Sequence, residues 1–274
     1  DMRKLGWFVI AAAGAYLLSQ AIPVASAQGY PNRPIRFIVP FPPGGGNDIV
    51  GRIVAQKLNE ALKVPVVVDN RGGAGGTIGT DITSKAPSDG HTMLVNNISL
   101  AVNATLFAKL PYDTLKDLAP VTLLGRQPNV GVVHPAVPAG TIKDLLALAR
   151  AKPGQIVYGS GGIGTASHLA TELLKLMAGT EMVHVPYKGL GPALTDRMGG
   201  RVQLIISTLA SALPQVKSGK LKPLAITTAS RSAFFPELPT MIEAGVSGYE
   251  FSTWYGLLLP GGTPKSIVER LNAE

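Results

Sequence analysis

The chain has 274 residues, of which 25 are Lys or Arg, 17 are Asp or Glu and none is Cys. A chain without cysteine has no disulfides, thiolate nucleophiles, zinc–thiolate sites or cysteine-ligated iron–sulfur clusters. Charged residues make up 15% of the chain and apolar residues 46%, a balance that indicates a globular protein rather than a disordered one.

The first segment has the pattern of an export signal. Arg3 and Lys4 precede the uncharged run 5–18, and Ala25-Ser26-Ala27 forms an A-x-A cleavage site. The apolar run is shorter than the ~20 residues that a membrane span needs. We therefore expect cleavage after Ala27 and a mature protein in the periplasm, with a buried N-terminal helix as the alternative.

Short β-branched runs alternate with longer helical patterns from residue 35 onward. This alternation predicts an α/β protein with open, largely parallel sheets. The predicted strands cover residues 35–40, 64–69, 92–95, 156–159, 182–185, 202–206 and 224–227. The predicted helices cover residues 48–62, 141–151, 165–177, 192–198, 209–217 and 266–274.

Three glycine-rich loops follow predicted strands, at residues 41–48, 70–77 and 159–165. Ligands of such sheets bind at the carboxyl ends of strands, where loops meet helix N-termini. Free N–H groups at the start of a helix favour anions. We therefore expect a site for a carboxylate that is built from main-chain donors of these loops.

Five side chains near these loops are candidate ligand contacts. Asn97 and Ser99 follow the third strand, where they either donate to a carboxylate or close a turn. Asp48 begins the first helix, and it either caps that helix or contacts the ligand. His168 follows the third loop and either donates to a ligand or packs against the loop. Tyr187 ends a strand and is expected to form a wall of the site.

An enzyme is the main alternative from the motifs. Residues 159–164 match G-x-G-x-x-G between a strand and a helix, which is typical of a dinucleotide site. The acidic residue that such a site needs after the next strand is missing, because that strand runs into Pro186-Tyr187-Lys188. The sequence contains no G-x-S-x-G nucleophile elbow, and its four histidines are dispersed. We expect no cofactor, no metal site and no catalysis.

Several motifs in order resemble one family. The runs FIVPFPPGGGNDIVGRIVAQKL (37–58), DNRGGAGGTIGTDITSKAPSDGHTML (69–94) and YGSGGIGTASHLATELLKLM (158–177) resemble the TctC or Bug family, the substrate-binding proteins of tripartite tricarboxylate transporters. The resemblance extends over residues 30–274.

The resemblance implies a two-lobed periplasmic binding protein of the type II-like, Venus flytrap fold. Such a protein closes around a small organic acid and delivers it to the membrane subunits of a transporter. We expect one lobe at residues 28–125 and 251–274 and the other at 126–250. Members usually run a few tens of residues further, so the end of the first lobe is expected to be truncated here.

The resemblance also implies site residues in each lobe. They are Pro43, Gly44, Gly45 and Asn47 in one lobe, and Gly161, Gly164, Thr165 and Ser167 in the other. Ser207 stands where members commonly carry an acidic or aromatic residue, so the specificity of that position is expected to differ.

Two further functions stay open, a ligand sensor for another membrane partner and an exported enzyme. The Lys and Arg residues are scattered along the chain, so we expect no nucleic-acid partner. A monomer is the default expectation for the oligomeric state.

Overall fold

Strands and helices alternate along the chain. The computed structural model describes residues 29–274, and the predicted export signal lies outside the described residues. The strands are Ile35–Val39 (β1), Val66–Asn70 (β2), Thr92–Asn97 (β3), Leu118–Val133 (β4), Val157–Ser160 (β5), Val183–Pro186 (β6), Leu204–Thr208 (β7), Lys222–Ile226 (β8) and Ser252–Pro260 (β9).

The helices mostly lie between consecutive strands, as expected for an α/β fold. They are Gly46–Leu62 (α1), Thr77–Ser84 (α2), Ile98–Leu106 (α3), Ile142–Ala151 (α4), Ala166–Ala178 (α5), Leu190–Met198 (α6), Leu209–Lys217 (α7) and Lys265–Ala273 (α8), with a 3-10 turn at Ala74–Gly76.

The strands pair in the order β2-β1-β3-β9-β4-β7-β5-β6, with β8 on β4. Strand β1 is parallel to β2 and β3, and β5 is parallel to β6 and β7. Helical crossovers make such parallel pairs possible. The β3–β9, β4–β9, β4–β7 and β4–β8 pairs are antiparallel. The prediction of an α/β protein with mixed sheets is confirmed.

Strand β4 belongs to two groups of strands. From Leu118 to Pro128 it pairs with β9, and from Asn129 to Val133 it pairs with β7. We call β1, β2, β3, β9 and residues 118–128 the first strand group. The second strand group comprises β5 to β8 and residues 129–133. Residues 31–274, which contain both groups, form one compact unit.

Helices cover both faces of the second strand group. In β7, Leu204 and Ile206 belong to a buried cluster that contains residues of α4 and α5, whereas Ile205 belongs to a cluster with residues of α6 and α7. Alternate residues of a strand point to opposite faces, which explains this division. In the first strand group, residues of β1, β3 and β9 pack together with Leu100 of α3.

Four elements were not predicted from the sequence, namely α2, α3, β4 and β9. Helix α2 contains glycine and threonine rather than strong helix formers, but Thr80 and Thr83 are fully buried and donate to main-chain carbonyls of the preceding turn. Strand β4 contains Pro120, Gly125 and Pro128, which are typical of loops; irregularities in its pairing with β9 accommodate the first two.

Candidate ligand-binding site

A small cavity lies where the loops after β1 and β5 meet. We call it the inner cavity, and its volume is about 30 Å³. No charged side chain lines it. The lining residues are Phe41, Gly45, Gly46, Asn47, Asn97, Gly161, Thr165, Ala166, Ser167, Leu190, Thr208 and Tyr255. Both strand groups contribute to this lining. Asn97 of β3, Tyr255 of β9 and the loop after β1 belong to the side of the first group, and Thr208 of β7 and the loop after β5 belong to the side of the second.

Three helices begin at the inner cavity. Helix α1 follows Gly45, α5 follows Thr165 and α7 follows Thr208, and in none of them does the N-cap residue's side chain accept a bond from the helix. Each helix start carries roughly half a positive elementary charge and unsatisfied N–H groups. At α7 one of these groups is already used, because Ala210 N donates to Gln127 Oε1 at 3.3 Å. Three helix starts around one uncharged cavity, two of them without any side-chain cap, favour an anion.

Asn47 has unmet hydrogen-bonding capacity in the inner cavity. Its side chain is 3% exposed, and neither Oδ1 nor Nδ2 has a partner among the described residues. Leaving a buried amide unsatisfied costs about 1–3 kcal/mol. A ligand that bonds to Asn47 would recover that free energy.

Some of the predicted main-chain donors are already used within the protein. Gly44 N donates to Asp48 Oδ2 at 3.0 Å, Gly161 N to Ser167 Oγ at 2.9 Å and Gly164 N to His168 Nδ1 at 3.3 Å. The expectation of free amides is therefore wrong for these three glycines, because side chains of the following helices turn back and bond to the loops. The starts of α1 and α5, which have no side-chain cap, supply free N–H donors instead.

Asp48 supports the loop after β1 and does not line either cavity that we describe. Its carboxylate is nearly fully buried, accepts bonds from Gly44 N and Asn70 Nδ2, and pairs with Arg52 at 3.0 Å. Burial raises the pKa of Asp48, but the hydrogen bonds from Arg52, Gly44 and Asn70 outweigh burial, so the pKa lies below its usual value. Asp48 is the third residue of α1, and the N-cap is Gly45.

His168 belongs to a stacked cluster beneath the loop after β5. Its ring stacks on His184 with centroids 4.5 Å apart, and His184 stacks on Tyr158 at 4.7 Å. His184 Nε2 lies 2.6 Å from Ser160 Oγ, which accepts a bond from Gly162 N. The two histidines therefore hold the loop through hydrogen bonds, and neither lines the inner cavity.

A tyrosine and a threonine close the inner cavity at the β7 and β9 side. Tyr255 is buried, and its hydroxyl accepts a hydrogen bond from Gln127 Nε2 at 2.6 Å. Burial raises the pKa of Tyr255, so its phenol is neutral. Thr208 Oγ1 donates to Ser211 Oγ at 2.8 Å. These groups add neutral hydroxyls to the cavity.

The structure brings six of the fourteen predicted site residues into the lining of the inner cavity. They are Gly45, Asn47, Asn97, Gly161, Thr165 and Ser167. Tyr187 lines a second cavity, described below. The remaining seven do not line the inner cavity: Pro43, Gly44, Asp48, Ser99, Gly164, His168 and Ser207.

Ser99 and Ser207 are displaced from the inner cavity by local geometry. Ser99 is fully buried in the first turn of α3, and its N–H donates to Asn97 Oδ1, so Asn97 caps that helix as well as lining the cavity. Ser207 is buried within β7, and its neighbour Thr208 lines the cavity instead. Adjacent strand residues point to opposite faces, so an error of one position exchanges them.

Six lining residues were not predicted from the sequence, namely Phe41, Gly46, Ala166, Leu190, Thr208 and Tyr255. Gly46 and Ala166 begin helices that were predicted to start at residues 48 and 165. The errors in these predicted helix starts explain why the two residues were missed. Tyr255 lies in β9, which was not predicted. An aromatic residue in the run TWYGLLLP, in the segment 251–274 that was predicted to return to the first lobe, was the available signal.

A second cavity adjoins the first. We call it the outer cavity; its volume is about 220 Å³, and it shares Phe41 and Gly161 with the inner cavity. The other lining residues are Gly73, Ala74, Gly75, Phe107, Gly162, Ile163, Pro186, Tyr187 and Lys188. The Tyr187 hydroxyl donates to Asp196 Oδ2 at 2.9 Å, which fixes the ring.

Comparison with known proteins assigns the chain to a family. The family of tripartite tricarboxylate transporter receptors, TctC, matches residues 50–274. The protein BugT of Bordetella pertussis is 41% identical over 267 residues, which cover 96% of this chain and 82% of BugT. This chain belongs to the TctC family of solute receptors, as the resemblance of its motifs predicts.

Solved structures of similar proteins have the same fold. R. palustris Rpa4515 with adipate is 38% identical with a TM-score of 0.87, and the match covers 89% of this chain and 82% of that one. MatC (Rpa3494) of Rhodopseudomonas palustris with bound malate is 31% identical with a TM-score of 0.84, over 89% of this chain and 83% of that one. The predicted fold class is confirmed.

Two features are absent from residues 29–274. None of the helices in this part of the chain is long and apolar enough to cross a membrane. Within the same residues, no three His, Cys, Asp or Glu side chains are grouped so that they could hold a metal ion.

Proposed function

We propose that this chain is a periplasmic receptor that captures a small organic carboxylate in the inner cavity and presents it to the membrane subunits of a tripartite transporter. The observation that carries the proposal is the convergence of three helix starts, those of α1 and α5 without a side-chain cap, on a cavity without charged side chains. Such a site compensates a negative charge through main-chain dipoles. Similar proteins whose structures contain adipate and malate support a carboxylate.

Binding by closure follows from the origin of the lining. Tyr255 of β9 belongs to the first strand group and Thr208 of β7 to the second, and Asn47 and Thr165 lie just after β1 and β5 of the same two groups. A ligand gains both sets of contacts only when the two groups are close together, so it favours the closed state. We propose that the groups are the cores of two lobes, at residues 28–125 with 251–274 and at 126–250, within a monomer. Residues 126–128, which pair with β9, lie at the boundary between these lobes.

The described site favours binding over catalysis. Ser160 and His184 form a close pair, as in hydrolases, but Ser160 is fully buried and lies outside the lining of both cavities described here. Burial, with the neighbouring His168, lowers the pKa of His184 to about 4, which makes it a weak base at neutral pH. We propose that this pair shapes the loop after β5.

Calorimetric titration of the purified protein with carboxylates and their amides tests the proposal. Adipate and malate would be compared with adipamide and malamide, and NAD would test for a dinucleotide site. We expect at least one acid to bind and its amide to bind at least about tenfold more weakly, a difference of 1.4 kcal/mol. Equal binding of acid and amide, or binding of NAD alone, would contradict the proposal.

Variants of helix α1 locate the site. Asn47→Ala removes the unsatisfied buried amide, and we expect it to weaken acid binding by about tenfold while the melting temperature changes little. Asn59→Ala changes an exposed residue of the same helix and should leave binding unchanged.

Deleting the transporter's membrane subunits and measuring uptake separates a transport receptor from a sensor, because only a transport receptor needs them for uptake.

A further inference from the structure

The outer cavity has the size of an organic spacer rather than of a single polar group. At about 220 Å³ it exceeds the roughly 150 Å³ of an apolar cavity that accommodates benzene. The inner cavity, at about 30 Å³, is close to the volume of one water molecule in the liquid. Phe41 and Gly161 line both cavities, so the cavities lie side by side, and a ligand that spans them would pass these two residues.

The walls of the outer cavity are mainly apolar. Phe41, Phe107 and Tyr187 supply three aromatic rings, and Ile163 and Pro186 add aliphatic surface. The Tyr187 hydroxyl is occupied by Asp196, so the ring is the part of this side chain left to contact a ligand. Each methylene group that a ligand buries here strengthens binding by about fourfold.

Lys188 is the one charged residue in the described lining of either cavity. It is exposed, and it forms no ion pair with any residue in the part of the chain that the structure describes. An ammonium group beside apolar walls attracts a carboxylate more strongly than it would in open water, because the walls exclude part of the solvent. The two cavities together therefore offer an uncharged anion site, a space with mainly apolar walls and the positively charged side chain of Lys188.

We propose that the outer cavity holds the apolar spacer and the second carboxylate of a dicarboxylate, with Lys188 as the partner of that second carboxylate. This inference rests on the proposed function, because it takes the inner cavity as the site of the first carboxylate. The ligand class is an unbranched dicarboxylic acid with a spacer of several methylene groups. A compact hydroxy acid leaves the apolar walls uncovered, and a tricarboxylic acid places a charge against them.

Calorimetry with three matched acids tests the ligand class. Adipate and hexanoate have equal chain length and differ in the second carboxylate, whereas succinate has two carboxylates and a short spacer. We expect adipate to bind about threefold to tenfold more tightly than hexanoate, and more tightly than succinate. Equal binding of adipate and hexanoate, or tighter binding of succinate, would overturn the inference.

Variants separate Lys188 from the general attraction of a positively charged protein. Lys188→Met should remove the difference between adipate and hexanoate and leave hexanoate binding unchanged. Lys220→Met, at another exposed lysine, should preserve the difference. An equal loss of affinity for adipate and hexanoate in Lys188→Met would contradict the proposed role of Lys188. If none of the acids binds the unaltered protein, the proposed function fails together with this inference, whereas loss of the adipate preference alone overturns only the inference.

Discussion

The hydroxyl of Thr253 donates a hydrogen bond to Oδ1 of Asn129 at 2.9 Å, and both residues are fully buried. Asn129 is also bonded to Thr227, since its N–H donates to Thr227 Oγ1 at 2.9 Å and its carbonyl accepts from Thr227 N–H at 2.9 Å. Asn129 is the residue at which β4 changes partners from β9 to β7. The bond from Thr253 therefore joins the two strand groups where the chain passes between them.

Replacing Thr253 by valine should destabilise the protein. Valine keeps the shape but leaves Asn129 Oδ1 buried without a donor, and Asn129 Nδ2 is already unpartnered among the described residues. We expect the free energy of unfolding to fall by about 1–3 kcal/mol, measured by urea denaturation. Thr105→Val, at an exposed position of α3, should change it by less than about 0.5 kcal/mol. Equal effects of the two substitutions would show that the hydrogen bond from Thr253 to Asn129 adds nothing to the free energy of unfolding.

A glycine of α6 tests whether close approach of the two strand groups is needed for binding. A Cβ atom on Gly191 would overlap the carbonyl oxygen of Pro43, which lies in the loop after β1. Alanine is a better helix former than glycine by about 1 kcal/mol, so Gly191→Ala should not lower the stability of α6. We expect a loss of adipate affinity of at least about tenfold, with an unchanged or higher melting temperature.

Gly199, the C-cap residue at the opposite end of α6, supplies the control for that experiment. A Cβ on Gly199 would meet its nearest neighbour, the carbonyl oxygen of Asp196, at 3.4 Å. Gly199→Ala should therefore leave the affinity unchanged. If Gly191→Ala also binds adipate normally, the contact between Gly191 and Pro43 is not part of the bound state.

The stacked histidines should make stability depend on pH. Burial, with the adjacent His168, lowers the pKa of His184 to about 4, and burial also lowers the pKa of His168. The charged groups that act on the pair are Glu172, which raises both pKa values, and Lys175, which lowers them. A folded-state pKa below the unfolded value means that the unfolded chain binds protons first as the pH falls.

The free energy of unfolding should therefore decrease as the pH falls from about 6.5 towards 4. Because the His184 ring is only partly buried, we expect a loss of about 1 kcal/mol between pH 7 and pH 5, below the limit of 1.4 kcal/mol per pH unit for one proton. Urea denaturation of the unaltered protein, of His184→Gln and of His134→Gln at several pH values measures this loss of stability. His184→Gln should flatten the dependence, whereas His134→Gln, after β4, should not; identical slopes in all three proteins would exclude His184 as the source.

The sequence predicted the fold well where the hydrophobic pattern was regular. Helix α7 has the predicted bounds, and α4 begins one residue later because Thr141 is its N-cap and forms a capping box with Asp144. Strand β4 was missed because its prolines and glycine are typical of loops, and its pairing with β9 depends on residues more than a hundred positions away. Local patterns carry no information about such pairing.

The candidate site was predicted at the level of loops rather than of atoms. Glycine-rich runs after β1 and β5 indicated where the cavity lies, and Gly45, Asn47 and Thr165 line it. The sequence did not reveal which amides are free, because that depends on side chains such as Ser167 and His168 folding back onto the loop. Tyr255 is brought to the site by strand pairing alone.

Gly46 lies against Tyr255 in the lining of the inner cavity, and this contact tests whether the ligand binds there. A Cβ on Gly46 would overlap the Tyr255 hydroxyl and lie 3.0 Å from Thr208 Oγ1. Gly46→Ala should therefore fill the cavity and reduce adipate affinity by more than about tenfold, while the first turn of α1 tolerates alanine. Titration calorimetry measures the loss.

The double variant Gly46→Ala with Tyr255→Phe removes the hydroxyl that the new methyl group meets. The ring carbon that bears the hydroxyl would still lie 3.1 Å from the added Cβ, a contact that a shift of a few tenths of an ångström relieves. We expect the second substitution to restore part of the affinity lost by the first, whereas Tyr255→Phe alone leaves Gln127 Nε2 without its acceptor and should weaken binding slightly. Because rescue requires that the two side chains compete for the same space, independent and additive losses in the double variant would contradict that competition. Unchanged affinity of Gly46→Ala would place the ligand outside the inner cavity.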